Sequence, residues 1–534
     1  MATKKPKKKR SAGGSRSMAV TFESIIVEPH EATEAGRRAI EANVLRVLGS
    51  GWSAAPMEGT HDLIVTRSRG PIPNSARAFE LARALFHARG VAHAEPQFTT
   101  PGVTPPTQAH LLPDERKGPA RMRSTRRTAT LPCDWSLSAT NVQKAWAHAE
   151  AHGEAARGLG VLIGHPDTGY SHHEEISPPH TQNLLPKRGF DFVSDRPDPL
   201  DPLKGVFAGH GTGTASAIMS EEGGPSENKP FVTGVAPGAR LVPLRVSNSV
   251  IHFSFTNVVR ALRHSIADKH DVISMSLGGP VATRALRKAI ADCVEQGIIV
   301  LAAAGNYWPW VVYPARLPQV ISCAATNFND GMWRHSATGS RVDISAPGED
   351  VYGATRKQTV VDMHCGTSYA VATTAGACAL WLAHHGKDSL RRQFPGANLS
   401  RLFRFVLQSS ARKPAGVWDS SKWGPGILDA QQLLAASLPR GAELNEPDEP
   451  DPIETALPDV DRTRRVRTLS PRSGRTPIPL LQEELELAIA TKPLLRKAVR
   501  DVAGRPSGRG NRKAGRLPRE SLRGLSPALV EALE

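Results

Sequence analysis

Six short apolar runs constrain the fold of this chain more than any other feature: residues 161–164, 241–246, 272–277, 298–304, 320–325 and 342–344. Each has the length of a strand and almost no polar alternation, so both of its faces must be covered. Between them lie segments with helical spacing, such as 256–270, where Val258, Val259, Leu262 and Ile266 recur on one face. Short buried strands alternating with amphipathic helices predict an α/β domain, a mostly parallel sheet with helices on both faces.

The rest of the chain divides around that domain. Residues 18–100 read as a small α+β module: strand candidates at 20–27, 62–66 and 91–95, the last stopping at Pro96, and helices at 31–48 and 75–89. In the first helix Ile40, Val44 and Val47 share a face; in the second, Ala78, Ala82, Leu85 and Phe86 do. Residues 101–130 hold five Pro and many Arg and read as a linker. The central domain is taken as 131–437. Beyond Trp423 there is no Phe, Trp or Tyr, 443–461 contains eight acids and no base, and 462–475 contains six Arg and no acid. Such blocks bury too little apolar area to offset chain entropy. Residues 438–534 are therefore expected to be a largely disordered charged tail, with a short amphipathic helix at 479–500 through Leu481, Leu485 and Ile489, broken near Pro493.

The chain carries a net charge of +16, and most of it sits on segments outside the predicted folded units. Residues 1–17 contribute seven Lys/Arg and no acid, 101–130 six against two acids, and 501–534 seven against four. The first is a basic disordered tail by composition. Such tails make weak electrostatic contacts with nucleic acid, acidic lipid or acidic proteins, or simply solubilise. No folded aromatic-plus-basic motif accompanies them, which argues against a nucleic-acid-binding domain. Cys133, Cys293, Cys323, Cys365 and Cys378 are too few and too scattered for a disulfide framework and fit a reducing compartment. The basic N-terminus is not followed by an apolar core, and the longest apolar stretch, 370–383, is shorter than a membrane span needs. A cytoplasmic location and a monomer are expected, with export by another route left open.

Four segments of the central domain carry chemistry. An apolar strand runs into Asp167-Thr-Gly, delivering a carboxylate to the strand's C-terminal end, where open parallel sheets bind ligands. His210 lies between Gly209 and Gly211 at the start of a small-residue helix. Cys365-Gly-Thr-Ser368 opens an Ala-rich helix, where free N–H groups favour an oxyanion; the plain alternative is Ser368 as a helix N-cap. The strand 298–304 ends in Gly305-Asn306, an amide donor at the same edge. Ser needs a base, His has a suitable pKa, and Asp fixes the tautomer and stabilises the imidazolium. An amide donates to a developing oxyanion without changing the charge of the base.

With these blocks in the order Asp167, His210, Asn306, Ser368, the chain resembles the subtilisin-like serine proteases, the subtilases. Gly234-Val-Ala-Pro-Gly-Ala, Ser274-Met-Ser-Leu-Gly-Gly279, Ala346-Pro-Gly and Trp423-Gly-Pro-Gly-Ile-Leu-Asp-Ala add to the likeness, which covers about 135–437. The resemblance implies a serine endopeptidase acting through an acyl-enzyme on protein or peptide substrates. Ser368 would be its nucleophile, His210 its general base, Asp167 the orienting carboxylate, and Asn306 with the Ser368 N–H the oxyanion hole. Ser276, Leu277, Gly278 and Gly279 would pair with the substrate backbone and border the P1 pocket. Residues 18–100 resemble the family's propeptide, which implies an inhibitor and foldase; the other reading is a permanent N-terminal regulatory or partner-binding domain. The alternative is a catalytically silent subtilase-like interaction module.

The chain departs from the family in three respects. No Pro follows the nucleophile closely, the run being Ser368-Tyr-Ala-Val-Ala372-Thr. Cys365, expected as a small buried side chain, lies three residues before Ser368. Family members are commonly secreted, whereas no export signal is expected from this N-terminus. Many members bind calcium, for which Asp191, Asp195, Asp198 and Asp201 offer a candidate set; no metal and no cofactor are assigned.

Overall fold

The computed structural model describes residues 21–31, 33–57, 61–99, 131–223, 230–252, 255–308 and 310–439, with parts of 484–495 and 519–530. The expectations for the basic tail 1–17, the linker 101–130 and most of 438–534 fall outside these residues.

The N-terminal module runs β1 (Thr21–Pro29), α1 (Glu34–Leu48), β2 (Trp52–Pro56), β3 (Leu63–Arg67), α2 (Ser75–Phe86) and β4 (Val91–Thr99). Thr33 caps α1 and Asn74 caps α2, each accepting from a backbone N–H of the first turn. The strands form an antiparallel sheet in the order β2-β3-β1-β4. Strand β4 does not stop at Pro96. It occupies the sheet edge, where a residue without an N–H is tolerated, and Pro96 stays in register with Ile25. The helices cover one face, burying Ile40, Val44, Phe79 and Leu85 against Ile25, Val27 and Val65.

The central domain is a seven-stranded sheet in which every pairing is parallel. Its strands are β5 (Leu162–Asp167), β6 (Phe190–Asp191), β7 (Arg240–Arg245), β8 (Val272–Met275), β9 (Ile299–Ala303), β10 (Ile321–Thr326) and β11 (Ile344–Pro347), in the order β11-β10-β9-β8-β5-β7-β6. Successive strand residues serve opposite cores. Ile163, Leu241, Val272 and Ile299 join one, and Leu162, Val242, Ile273 and Val300 the other. The first core is closed by α3 (Val142–Ala151), α4 (His210–Met219), α7 (Thr367–His385) and α8 (Ala397–Ser409). The second is closed by α5 (Thr256–Ala267) and α6 (Arg284–Glu295). A hairpin, β12 (Val351–Ala354) and β13 (Val361–His364), lies outside the sheet. Among the described residues no helix is long and apolar enough to cross a membrane.

The module docks on the second face. Ile26 and Met57 enter that core, and Val281 enters the module's core. Glu95 accepts at 2.6 Å from the Arg284 N–H at the start of α6, and Arg284 reaches Glu28 at 2.9 Å. Thr256 donates to Gln97 at 2.9 Å. The described C-terminal residues pack here too. Leu485, Ala488, Leu495, Leu522, Leu525 and Leu529 form a small cluster beside Trp310. Glu484 is buried and takes Arg83 at 3.3 Å and the Ser526 N–H at 2.7 Å.

Candidate active site

Strand β5 is buried along its whole length and ends in Asp167, whose carboxylate is fully enclosed. His210 is the first residue of α4. That helix can lie against the turn after β5 because residue 211 is Gly: a Cβ there would fall 2.1 Å from the Gly169 carbonyl oxygen. Ser368 is the second residue of α7, and Gly366, not Ser368, is the cap. These three elements bring together groups far apart in the chain. The His210 Nδ1 lies 2.8 Å from Asp167 Oδ1, and its Nε2 lies 3.1 Å from Ser368 Oγ. The Thr168 N–H also donates to Asp167 Oδ1, at 2.7 Å. Burial pushes the Asp167 carboxyl up, but His210 and the backbone donor outweigh it and hold it below the usual value. A carboxylate, an imidazole and a hydroxyl so linked can pass a proton from the hydroxyl to the imidazole while the carboxylate balances the new charge.

Asn306 follows β9 and faces the same point. Its Oδ1 accepts from the Thr367 N–H at 2.9 Å and the Thr367 hydroxyl at 2.8 Å, which fixes the amide plane and turns Nδ2 toward Gly366. A Cβ on Gly366 would stand 3.2 Å from Asn306 Nδ2, 3.6 Å from the Ser368 N and 3.7 Å from Ser368 Oγ. The missing side chain thus leaves room beside two N–H donors and a hydroxyl, enough for one oxygen. Ser276 at the end of β8 locks the start of α7, its hydroxyl donating to the Ser368 carbonyl at 3.0 Å.

Residues 158–419 match the Subtilase family. Subtilisin DY of Bacillus licheniformis is 31% identical over 280 residues, 52% of this chain and 91% of that protein. The chain belongs to the subtilase family. It is a subtilisin-like serine endopeptidase, with protein or peptide substrates. Subtilisin E of Bacillus subtilis (strain 168) is 31% identical over 240 residues, 44% of this chain and 58% of its own length. An intracellular serine protease of Paenibacillus polymyxa is 33% identical over 232 residues, 42% and 67% of the two chains. The fold is also that of fervidolysin from Fervidobacterium pennivorans, a keratinolytic enzyme related to subtilisin, with a TM-score of 0.56 at 19% identity over 78% of this chain and 62% of that one.

Around the four central residues the subtilase differs from its sequence-based expectations. Ser276 lies beside Ser368 and Leu277 is buried in the second core, but the backbone at Gly278 and Gly279 is already engaged. The Gly278 N–H donates to Val250 O at 2.9 Å, and its carbonyl accepts from His252 at 2.8 Å. Gly279 exchanges two bonds of 2.8 Å with Tyr313. Cys365 is exposed, not buried, with its sulfur against Asp350 at 3.5 Å. Although the residue is exposed, its sulfur is packed against Asp350, and that local desolvation, then the Asp350 and Glu349 carboxylates, push the thiol up, so it stays protonated at neutral pH. The four aspartates named as a calcium set do not converge on one point. Asp191 takes Arg245 at 2.6 Å, Asp195 takes Arg260 at 2.6 Å, Asp198 faces the Tyr170 hydroxyl, and Asp201 accepts from Thr168 Oγ1 at 2.7 Å and the Gly209 N–H at 2.9 Å. Among the described residues no group of three or more His, Cys, Asp or Glu is disposed to hold a metal.

Four further residues touch the site: Gly366 and Thr367 beside Asn306, which stood in the Cys365-Gly-Thr-Ser368 motif without a role of their own, and Thr214 and His165 beside Asp167. Position alone could have flagged Thr214, one helical turn after His210.

Proposed function

We propose that this endopeptidase cleaves through an acyl-enzyme in which Ser368 attacks the scissile carbonyl. His210 takes the hydroxyl proton at Nε2 and returns it to the leaving amine. Asp167 holds Nδ1 protonated and stabilises the imidazolium. The carbonyl oxygen, as it becomes an oxyanion, enters the space beside Gly366 and accepts from Asn306 Nδ2 and the Ser368 N–H. Water then repeats the sequence on the ester. One observation carries this reading: His210 bridges Asp167 and Ser368 at 2.8 and 3.1 Å. Peptide binding along Ser276–Gly279 would require an extended substrate to displace residues 250–252 from Gly278 and take over those backbone bonds.

Residues 18–100 act, in this reading, as an intramolecular inhibitor and folding aid. Support comes from the Glu95 carboxylate on the first N–H groups of α6 and from Ile26 and Met57 in the enzyme's own core.

Mass spectrometry with fluorophosphonate labelling tests both parts. The parent chain is expected to take the label and to be cut between 100 and 130. The variant Ser368→Ala is expected to do neither. A labelled or self-cleaved Ser368→Ala protein overturns the assignment of the nucleophile. A parent that takes the label but is never cut overturns the propeptide reading alone.

A further inference from the structure

Asp167 has one oxygen well supplied and one not. Both short bonds, from the Thr168 N–H and from His210, end on Oδ1. Oδ2 is fully enclosed and faces Thr214 Oγ1 at 3.4 Å and His165 Nε2 at 3.8 Å. A buried carboxylate oxygen without a donor is costly. The fold brings these two residues here. His165 and Asp167 are two apart on β5, so their side chains share a strand face, and Thr214 is four after His210 on α4, so it shares that residue's helix face.

Thr214 has a single hydroxyl hydrogen and several acceptors for it: His165 Nε2 at 3.0 Å, His210 O at 3.2 Å, and Asp167 Oδ2 and Gly211 O at 3.4 Å. The shortest contact decides the arrangement. If His165 Nε2 lacked a proton, it would capture the hydroxyl hydrogen and leave Oδ2 with none. If Nε2 carries the proton, His165 donates to Thr214 Oγ1, and the hydroxyl is released toward the carboxylate.

We propose that His165, buried and protonated at Nε2, is a positioning residue that acts through Thr214 to hold Asp167 Oδ2, forming a support behind the triad on the side away from Ser368. The charged and titratable groups acting on it are Asp167 and His210; desolvation outweighs the pull of Asp167 and keeps its pKa below the ordinary imidazole value, so it serves as a neutral donor. The proposal rests on the triad reading above.

The test is steady-state peptide hydrolysis by the full-length protein across pH, with each rate divided by the fraction of sites labelled by a fluorophosphonate. His165→Val is expected to lower kcat about three- to tenfold with KM unchanged, the loss of one buried hydrogen bond. The acid limb of kcat/KM should move to higher pH, because a carboxylate with fewer donors concentrates its charge and stabilises the His210 imidazolium further. Thr214→Val should do the same, the double variant should be no worse than either single one, and His165→Gln, whose amide can donate, should recover most of the rate. Unchanged per-site kcat, an unmoved acid limb, additive effects, or a Gln variant as slow as Val would each overturn the proposal. Should His165→Val not fold, Thr214→Val, which keeps the shape of the side chain, decides alone on the same two readouts. Failure of the parent to label at Ser368 would instead remove the triad reading itself.

Discussion

Replacing Gly366 by Ala puts the proposed oxyanion site to a geometric test. The added methyl would stand 3.2 Å from Asn306 Nδ2 and 3.6 Å from the Ser368 N. An oxygen accepting from both must sit about 2.7–3.1 Å from each, so the carbon and the oxygen would compete for one place. The fold itself is little disturbed. Gly366 has an extended φ of 162°, which any residue adopts, and the tightest contact is with the end of a side-chain amide. A stability cost of about 1 kcal/mol is expected for such slight overpacking. The barrier should rise much more, because loss of even one oxyanion donor, as measured in subtilisin, costs about 3–4 kcal/mol or 10²–10³ in kcat. The assay is hydrolysis of a chromogenic peptide, with sites counted by fluorophosphonate. KM should change little and kcat should fall about 100-fold or more. A Gly366→Ala protein whose per-site kcat stays within about threefold of the parent would show that the oxyanion does not form there.

Two further outcomes follow from buried charges. Glu175 is enclosed and pushed up to about 7 by desolvation, although Ser220 and the Val232 N–H favour its ionised form. Between pH 4.5 and 7 the folded state keeps a proton that the unfolded chain has lost, so stability falls as pH rises through that window, by about 3 kcal/mol in all. Glu175→Gln, whose Oε1 can accept from the Val232 N–H while its amide donates to Ser220 Oγ, should raise the Tm at pH 8 and leave it unchanged at pH 4; equal shifts at both would refute the charge argument. Arg245, buried between Asp191 and Asn248 at 2.6 and 2.5 Å, balances a carboxylate whose other cation is the exposed Arg196 at 3.3 Å. Arg245→Met should cost about 3 kcal/mol in denaturant unfolding, and a loss under about 1 kcal/mol would mean that Arg196 suffices.

How much of this could be read from the sequence depended on burial. The six apolar runs became strands of the parallel sheet because a two-sided buried strand leaves an unbroken hydrophobic signature. Asp167, His210, Asn306 and Ser368 stood out since each sits at the end of such a strand or the start of a small-residue helix, flanked by Gly. Strand β2 gave no signal: it is a mostly exposed edge strand of Trp, Ser, Ala and Pro. Pro96 read as a stop because a sequence does not reveal which strand will be the edge. The hairpin β12–β13 is half exposed, and β6 is two residues long. His165 was hidden inside an apolar run, where a buried donor and a spacer look alike. The engagement of Gly278 by residues 250–252 is a meeting of two loops, and no local pattern encodes it.

The ion pair of Arg83 with Glu484 spans 401 residues of chain. The N-terminal sheet, by contrast, is complete once Thr99 is made, since its widest pairing joins Thr21 to Thr99. During synthesis the module can therefore close on itself early, and the ribosome must then deliver α4, α7 and all the residues of the catalytic groups before Glu484 exists. That clasp cannot close before residue 484 has been made, and a nascent or clipped chain without it still has, among the described residues, Ile26, Met57, Val281, Glu95 and Gln97 to hold its module.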